Sequence, residues 1–297
     1  MNITVTGGSG FLGGHLVKTL SDRGDALHLL GRTRPRNLPA SIAFSEWDAT
    51  RQPPRDSLEA ADAVIHLAGE PIAQRWTTAV KNRIRDSRVE GTRHLVDALA
   101  ALSRRPKILI SGSAIGYYGS RGDEVLTETS APGSDFLAQV GVEWEAHANR
   151  AGSLGIRVAL IRTAMVLGHG GALAKMLPPF RAGVGGRIGS GQQWMSWIHV
   201  EDLIGMIVFA LDTPAVHGPL NGSAPNPATN ADFTRALAST LHRPALFPVP
   251  EFGLKLLFGE MAGVLLASQR VLPEAAESAG YRFQYPELKP ALADILK

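Results

Sequence analysis

The stretch Ile3-Thr4-Val5-Thr6-Gly7-Gly8-Ser9-Gly10-Phe11-Leu12-Gly13 decides how this chain is organised. A short β-branched run leads directly into a cluster of glycines, and an apolar helical pattern follows at once. Glycines permit a tight turn and let backbone N–H groups approach a phosphate, while the positive end of the following helix points to the same place. The cluster fits GxGxxG when read from Gly8 and GxxGxxG when read from Gly7. This strand–turn–helix context predicts the pyrophosphate site of a dinucleotide.

Composition excludes several classes of protein. The 297 residues suffice for one large α/β domain or for a core with a smaller lobe, and 44% hydrophobic with 19% charged residues is typical of globular proteins. The chain has no cysteine, which excludes disulfides, thiolate metal sites and a cysteine nucleophile. A net charge of +3, without a basic run, argues against a dedicated nucleic-acid surface.

Targeting, membrane and metal signals are also missing from the pattern. A strand begins within the first residues, so we expect no signal peptide before it. The longest apolar stretch, residues 252–266, is interrupted by glycines and charges. The nine histidines are dispersed and lack acidic companions, so we expect no metal site. The expectation is a cytoplasmic protein that acts on a small molecule and binds neither nucleic acid nor membrane.

Strand-like and helix-like segments alternate through the first half of the chain. Short, continuous apolar runs are typical of a parallel sheet that is covered on both faces, and they predict strands over residues 3–6, 26–30, 63–67, 107–111 and 158–162. Helical patterns lie between them over residues 11–22, 78–102 and 136–154. The alternation predicts an α/β fold with a doubly wound parallel sheet, whose ligands lie beyond the carboxyl ends of the strands.

The second half of the chain predicts a smaller substrate lobe. Glycine-rich stretches suit loops over a pocket, and further helical patterns cover residues 201–211, 230–241 and 252–268. Between them, Trp197-Ile198-His199-Val200 marks a return to the core. We therefore expect a dinucleotide-binding domain over 1–165, to which 197–222 return, and a lobe over 166–297.

The end of the second predicted strand indicates which dinucleotide is bound. An acidic residue at this position binds the ribose 2′-hydroxyl of NAD, whereas a cation accommodates the 2′-phosphate of NADP. Here the strand ends in Gly31-Arg32-Thr33-Arg34, without an acid. The planar guanidinium of Arg32 can hold a phosphate through two hydrogen bonds, and Arg34 either assists or is simply solvated. The pattern favours NADP.

The chain resembles the extended short-chain dehydrogenase/reductases, the superfamily of sugar-nucleotide epimerases and dehydratases. General motifs are Thr6–Gly13, His66-Leu67-Ala68-Gly69, Ser111-Gly112-Ser113-Ala114 and Trp197-Ile198-His199-Val200-Glu201-Asp202. An atypical branch, usually called "epimerase family protein", is matched more narrowly by Leu67-Ala68-Gly69-Glu70-Pro71-Ile72, Trp144-Glu145 and Ile188-Gly189-Ser190-Gly191-Gln192. A C-terminal segment of unknown function, at about 247–296, completes the match.

The resemblance implies an extended Rossmann fold, NADP as cofactor and a set of cofactor contacts. Gly7, Gly10, Phe11 and Leu12 would hold the pyrophosphate, and Arg32 would hold the 2′-phosphate. Leu67, Ala68 and Gly69 would flank the adenine-ribose side, with Arg88 near the ribose or the phosphates. Ala164, Met165 and Val166 would lie beside the nicotinamide. Asp48 is either an adenine contact or an ordinary loop residue. A homodimer through the helices over 78–102 and 136–154 is a further family-based expectation.

The catalytic pattern of the family is incomplete in this chain. Extended members use a Tyr-x-x-x-Lys helix, in which the lysine lowers the pKa of the tyrosine. The corresponding stretch, residues 135–145, contains neither residue type. Ser113 matches the helper serine of the family, and Tyr117 and Tyr118 follow at the mouth of the same crevice, where each is either a proton donor or a wall residue. Ser113 and Tyr117 are the candidate catalytic residues.

Three functions follow from these observations. The first is an NADP-dependent oxidoreductase that acts on a carbonyl or hydroxyl group of a small molecule. The second is a non-catalytic protein that senses NADPH or serves as an interaction partner, which the missing Tyr/Lys pair favours. The third, a sugar-nucleotide epimerase, is weakened by the same loss.

Overall fold

A parallel seven-stranded sheet forms the centre of the computed structural model, which describes residues 1–297 except the side chain of Leu257. The strands of the chain are β1 (Asn2–Thr6), β2 (Ala26–Gly31), β3 (Ala43–Glu46), β4 (Ala63–His66), β5 (Ile108–Ala114), β6 (Val125–Leu126), β7 (Arg157–Thr163), β8 (Met165–Leu167), β9 (Trp194–Met195), β10 (Trp197–His199), β11 (Gly218–Gly222), β12 (Ala228–Thr229) and β13 (Arg270–Val271). Across the central sheet their order is β11-β7-β5-β4-β1-β2-β3. The predicted doubly wound α/β fold is confirmed.

Helices cover both faces of this sheet. They are α1 (Phe11–Asp22), α2 (Asp56–Glu59), α3 (Thr78–Ala100), α4 (Phe136–Asn149), α5 (Gly171–Arg181), α6 (Val200–Asp212), α7 (Asn230–Leu241), α8 (Glu251–Phe258), α9 (Ala262–Leu266), α10 (Glu274–Ser278) and α11 (Leu288–Ile295). Adjacent residues of β5 point to opposite faces: Ile108 joins the core beneath α1 and α6, and Leu109 joins the core beneath α3 and α4. The continuous apolar runs of the strands reflect this double cover.

A third core lies outside the sheet. Helices α5, α7 and α11 enclose Trp197, Phe233 and Leu292, all fully buried. The segment after α9 returns to the first core, where Ala276 and Tyr281 pack against α6 and its neighbours. The central sheet and the C-terminal segment therefore share a core.

One predicted helix differs in the structure. The pattern over 252–268 is divided into α8, a 3-10 turn at Gly259–Met261 and α9. Gly259 has φ +59°, a left-handed conformation that ends the first helix. Residues Arg150–Leu154, at the end of the helix predicted over 136–154, form a 3-10 turn after α4. No helix among the described residues is long and apolar enough to span a membrane.

A buried histidine links the two strands at the centre of the sheet. His66, at the end of β4, lies between the Thr6 hydroxyl of β1 (Nδ1 to Oγ1, 2.7 Å) and the Thr92 hydroxyl of α3 (Nε2 to Oγ1, 3.0 Å). Burial disfavours its charged form and lowers its pKa from 6.5 to about 4. The ring is therefore neutral in the folded protein at neutral pH.

This histidine makes stability depend on pH. Between pH 6.5 and pH 4 the unfolded chain binds a proton at residue 66 that the folded protein does not, so the free energy of unfolding falls as the pH falls, by about 3 kcal/mol in total. Urea denaturation of the wild type should show this slope, and His66→Gln should flatten it. The exposed His217→Gln is the control, and an equal slope in all three proteins would contradict the assignment.

Candidate functional site

The turn between β1 and α1 lies directly against the end of β4. Gly7 has φ +74°, and a Cβ atom there would lie 2.7 Å from the carbonyl carbon of Leu67. A Cβ at Gly13 would overlap the carbonyl oxygen of Gly7, which already accepts a hydrogen bond from the amide of Gly10 (3.0 Å). Neither position has room for a side chain. The glycine pattern therefore reflects a close approach of two backbones at the carboxyl edge of the sheet.

The N-terminus of α1 opens towards this edge. Its N-cap is Gly10, which offers no side-chain hydrogen bond, and its first turn contains no acidic residue. The N–H groups of the first turn, which begins at Phe11 and Leu12, have no partner within the helix and are available to an anion. The Phe11 ring turns sideways and packs against a glycine loop, where a Cβ at Gly168 would lie 2.7 Å from its Cζ atom.

Arg32 stands at the tip of β2, where the sequence predicts it. Its side chain is exposed and donates no hydrogen bond to the described residues, whereas Arg34 donates to the carbonyl oxygen of Ile42 (3.4 Å). The charge of Arg32 helps to lower the pKa of Asp48 and Glu70, although the main cause is a hydrogen bond to each carboxylate, from Thr50 and Gln74 respectively. A free guanidinium thus faces the crevice between β2 and β4.

Arg88 closes the side of the crevice that follows β4. Its Nη1 donates to the carbonyl oxygens of Glu70 (3.0 Å) and Ile84 (3.1 Å), and its guanidinium lies 5.4 Å from the Trp144 ring. Burial lowers the pKa of Arg88 to about 10, so it keeps its charge at neutral pH. The Glu70 carboxylate pairs with Arg83 (3.4 Å), and not with Arg75 or Arg88.

The opposite wall is formed by Ala164, Met165 and Val166, which follow β7. The amide of Ala164 donates to the carbonyl oxygen of Gly222 (2.9 Å), and the amide of Met165 donates to that of Ser196 (3.2 Å). These two bonds direct the chain out of the central sheet and into β8, which pairs with β10. The predicted cofactor residues thus lie at one edge of the sheet, distributed along the ends of β1, β2, β4 and β7.

The most extensive buried polar network lies at the ends of β5 and β7. Ser113 donates a hydrogen bond to Oε1 of Glu145 (2.6 Å), a residue of α4. Arg162 binds both oxygens of the same carboxylate, through Nε to Oε1 and Nη2 to Oε2 (2.8 Å each). All three side chains are buried, and the ion pair raises the pKa of Arg162 although burial opposes this shift. Since the only proton of the Ser113 hydroxyl is donated to Glu145, its free lone pair can accept a further hydrogen bond.

The two neighbouring tyrosines differ in role. Tyr118 is fully buried, accepts from Nη1 of Arg162 (2.9 Å) and donates to the side chain of Asn221 (2.7 Å); burial raises its pKa to about 12. Tyr117 is only half-buried, and its ring covers the Arg162 guanidinium at 3.7 Å. Its hydroxyl makes no hydrogen bond to the described residues. Tyr118 is a structural residue, and Tyr117 is the phenol that remains available.

Sequence reasoning missed the pair that organises this network. From the sequence, Trp144-Glu145 is identified only as a family motif and Arg162 only as the last residue of a predicted strand, and binding between Glu145 and Arg162 is not predicted. Both are charged residues on otherwise apolar elements, Glu145 on the inward face of α4 and Arg162 after Val158–Ile161. Opposite charges at such positions indicate a buried ion pair. His199 accepts a hydrogen bond from the amide of Glu201 (3.2 Å) and caps α6. Among the described residues no group of three acidic or histidine side chains could hold a metal ion.

Similar proteins are known from several kingdoms. The profile of the NAD dependent epimerase/dehydratase family matches residues 3–221, and that of a domain of unknown function (DUF1731) matches residues 249–295. The epimerase family protein SDR39U1 homolog of Arabidopsis thaliana, a chloroplastic protein, is 41% identical over 310 residues, which cover 100% of this chain and 87% of that protein. The epimerase family protein YfhF of Bacillus subtilis is 38% identical over 297 residues, which cover 100% of this chain and 98% of that protein.

Solved structures of proteins with similar names have a similar fold. The human epimerase family protein SDR39U1, crystallised with NADPH, has a TM-score of 0.89 and 35% sequence identity, with 99% of each chain covered. A UDP-glucose 4-epimerase of Thermotoga maritima, solved with UDP-glucose, has a TM-score of 0.80 at 19% identity over 100% of this chain and 97% of that chain. The second likeness shows a shared fold.

Removal of one partner of the Glu145–Arg162 pair should strongly destabilise the protein. Arg162→Leu leaves a buried carboxylate without its counter-ion, which costs about 3–5 kcal/mol. Urea denaturation should show this loss, whereas Arg55→Leu, which breaks the exposed ion pair with Glu59, should leave the unfolding midpoint unchanged. Similar midpoints for the two variants would contradict the structural role of the pair.

Proposed function

Because the chain belongs to the NAD dependent epimerase/dehydratase family, we propose that it is an NADP-dependent oxidoreductase that acts on a carbonyl or hydroxyl group of a small molecule. The observation that carries this proposal is the free guanidinium of Arg32 beside a glycine turn that has no room for side chains. The NADPH in the human relative supports it.

The residues present fit the dinucleotide. The amides that begin α1, at Phe11 and Leu12, would hold the pyrophosphate, with Gly7 and Gly10 allowing its approach. Arg32 would pair with the 2′-phosphate, and Arg88 would contribute a second charge. Leu67, Ala68 and Gly69 would line the adenine-ribose side, and Ala164, Met165 and Val166 the nicotinamide side. When bound, the cofactor supplies or accepts a hydride at C4 of the nicotinamide.

Ser113 and Tyr117 are the proposed catalytic residues. Ser113 keeps a lone pair that no described residue uses, so it would accept the hydrogen bond of a substrate hydroxyl. The free phenol of Tyr117, held over Arg162, would donate to a substrate carbonyl. Glu145 holds the Ser113 hydroxyl in place, and Arg162 fixes the Glu145 carboxylate because it binds both of its oxygens.

A second candidate is an NADPH sensor without turnover. Helix α4 contains neither tyrosine nor lysine, and a Cβ at its Gly141 would touch Tyr117. The helix that carries the acid–base pair in the resembled family thus lacks both residues of that pair and has a glycine against Tyr117. This observation favours binding without chemistry, and turnover measurements separate the two candidates.

Arg32 should determine the choice of cofactor. Wild-type protein should bind NADPH at least tenfold more tightly than NADH, since a charge-assisted hydrogen bond contributes about 1.5–3 kcal/mol. Arg32→Ala should remove this preference and leave NADH affinity unchanged in calorimetric titration. The exposed Arg36→Ala is the matched control, and equal affinities of the wild type for both cofactors would contradict the proposal.

Ser113 and Tyr117 should determine turnover. In assays of NADPH oxidation with a panel of aldehydes and ketones, Tyr117→Phe should lower kcat by about 10²-fold or more, a typical contribution of acid–base groups. In the reverse assays of NADP⁺ reduction with alcohols, whose hydroxyl can donate to Ser113, Ser113→Ala should lower kcat to a similar extent. Ser111→Ala, two residues earlier on β5, should leave kcat unchanged because this hydroxyl binds only the carbonyl oxygen of Gly112 (3.1 Å). NADPH binding without any oxidation above buffer would favour the sensor.

A further inference from the structure

Arg270 is exceptional among the arginines of the chain. Taken as whole residues, seven arginines are half-buried or buried in the described structure, and they are Arg85, Arg88, Arg93, Arg121, Arg157, Arg162 and Arg270. Six of them donate hydrogen bonds to carboxylates or backbone carbonyls. The Arg270 side chain donates none to a described residue, and its Nε atom is fully buried without a partner. A cation that is partly removed from water without an anion is unfavourable.

The surroundings of Arg270 hold it without neutralising it. Its guanidinium lies 4.5 Å from the centre of the Trp194 ring, a cation–π contact that leaves the N–H edges free. The indole N–H of Trp194 in turn donates to Oδ1 of Asp123 (2.9 Å), which fixes the ring. The backbone next to Arg270 is fixed as well, since the side chain of Gln269, just before β13, donates to the carbonyl oxygens of Ile115 (2.9 Å) and Gly119 (3.0 Å).

Arg270 lies between two residues whose side chains contact the segment of Tyr117, so its own side chain points away from that segment and towards Trp194. Gln269 binds both ends of the segment that carries Tyr117, and Val271 packs against the same segment. On the other side, residue 269 bridges to Met195, and the next residue, Ser196, accepts the amide of Met165. Two strand spacings of about 4.8 Å therefore separate the backbone beside Arg270 from that of Met165.

We infer that Arg270, stacked on Trp194, binds an anionic group, a phosphate or a carboxylate, on a ligand of this protein. The guanidinium fork can hold two oxygens of such a group in one plane. The bound anion supplies the counter-charge that the protein lacks at this position. Anion binding at Arg270 goes beyond the proposed function and can be measured without it.

Anion titration tests this inference directly. Inorganic pyrophosphate and malonate are titrated calorimetrically into protein saturated with NADPH, which occupies the cofactor phosphate sites, and also into protein without NADPH. Wild-type protein should bind at least one of the two anions, and the tighter one identifies phosphate or carboxylate as the group recognised. Arg270→Gln should weaken that binding at least about tenfold, as expected for a charge-assisted pair. Arg270→Lys keeps the positive charge but lacks the planar guanidinium, so its anion affinity should lie between that of the wild type and that of Arg270→Gln.

Two further measurements separate anion binding from a structural role. Without ligand, Arg270→Gln should raise the Tm, because it removes a desolvated charge that has no partner. Arg282→Gln, an exposed arginine of the same C-terminal segment, should change neither Tm nor anion affinity. A lower Tm for Arg270→Gln, or anion affinity equal to that of the wild type, would overturn the inference. Failure of the wild type to bind NADPH would instead count against the proposed function, while the titration without NADPH still reports on Arg270.

Discussion

The close approach of two backbones, the turn after β1 and the chain leaving β4, is the constraint on which the rest of this molecule depends. Gly7 touches the peptide of Leu67, and the Thr6 side chain receives the amide of Ala68 (3.1 Å). The two strands that flank the switch point of the sheet are thereby held together at their ends. A crevice bounded by backbone amides results, and the cation at the tip of β2 faces it.

The buried pair of Glu145 and Arg162 performs a comparable task for the other half of the crevice. It joins α4 to β7, and through Ser113 and Tyr118 it reaches β5 and β11. A pair of this kind contributes little net stability, because both charges lose their hydration. Its value is geometric: one serine hydroxyl, one tyrosine ring and one guanidinium are held in a single arrangement.

The fold was predictable from the chain because its signals are local. The turn from Gly7 to Gly13 and the apolar strands follow from nearby residues alone, and all predicted strands of the first half exist with shifts of one to three residues at their ends. The division of the helix at Gly259 was harder to predict from the sequence, since one glycine inside an apolar helical pattern is often tolerated. The positions of Arg32 and of the residues after β4 and β7 followed from the rule that ligands lie at the carboxyl edge. The Glu145–Arg162 pair and the unpartnered state of Arg270 depend on contacts between segments far apart in sequence, which no local pattern contains.

The ring of Phe11 packs between the start of α1 and the loop that precedes α5. It belongs to the first turn of α1, yet it fills a slot whose floor is formed by Gly168 and Gly170, immediately before α5. Helix α5 is braced in turn against the chain after β4, because Lys175 donates to the carbonyl oxygen of Ala73 (2.9 Å). The glycine turn after β1, α5 and the chain after β4 thus form a closed ring of contacts. Because packed interiors transmit strain, a shift of α5 is coupled to the carboxyl edge of the sheet through both contacts.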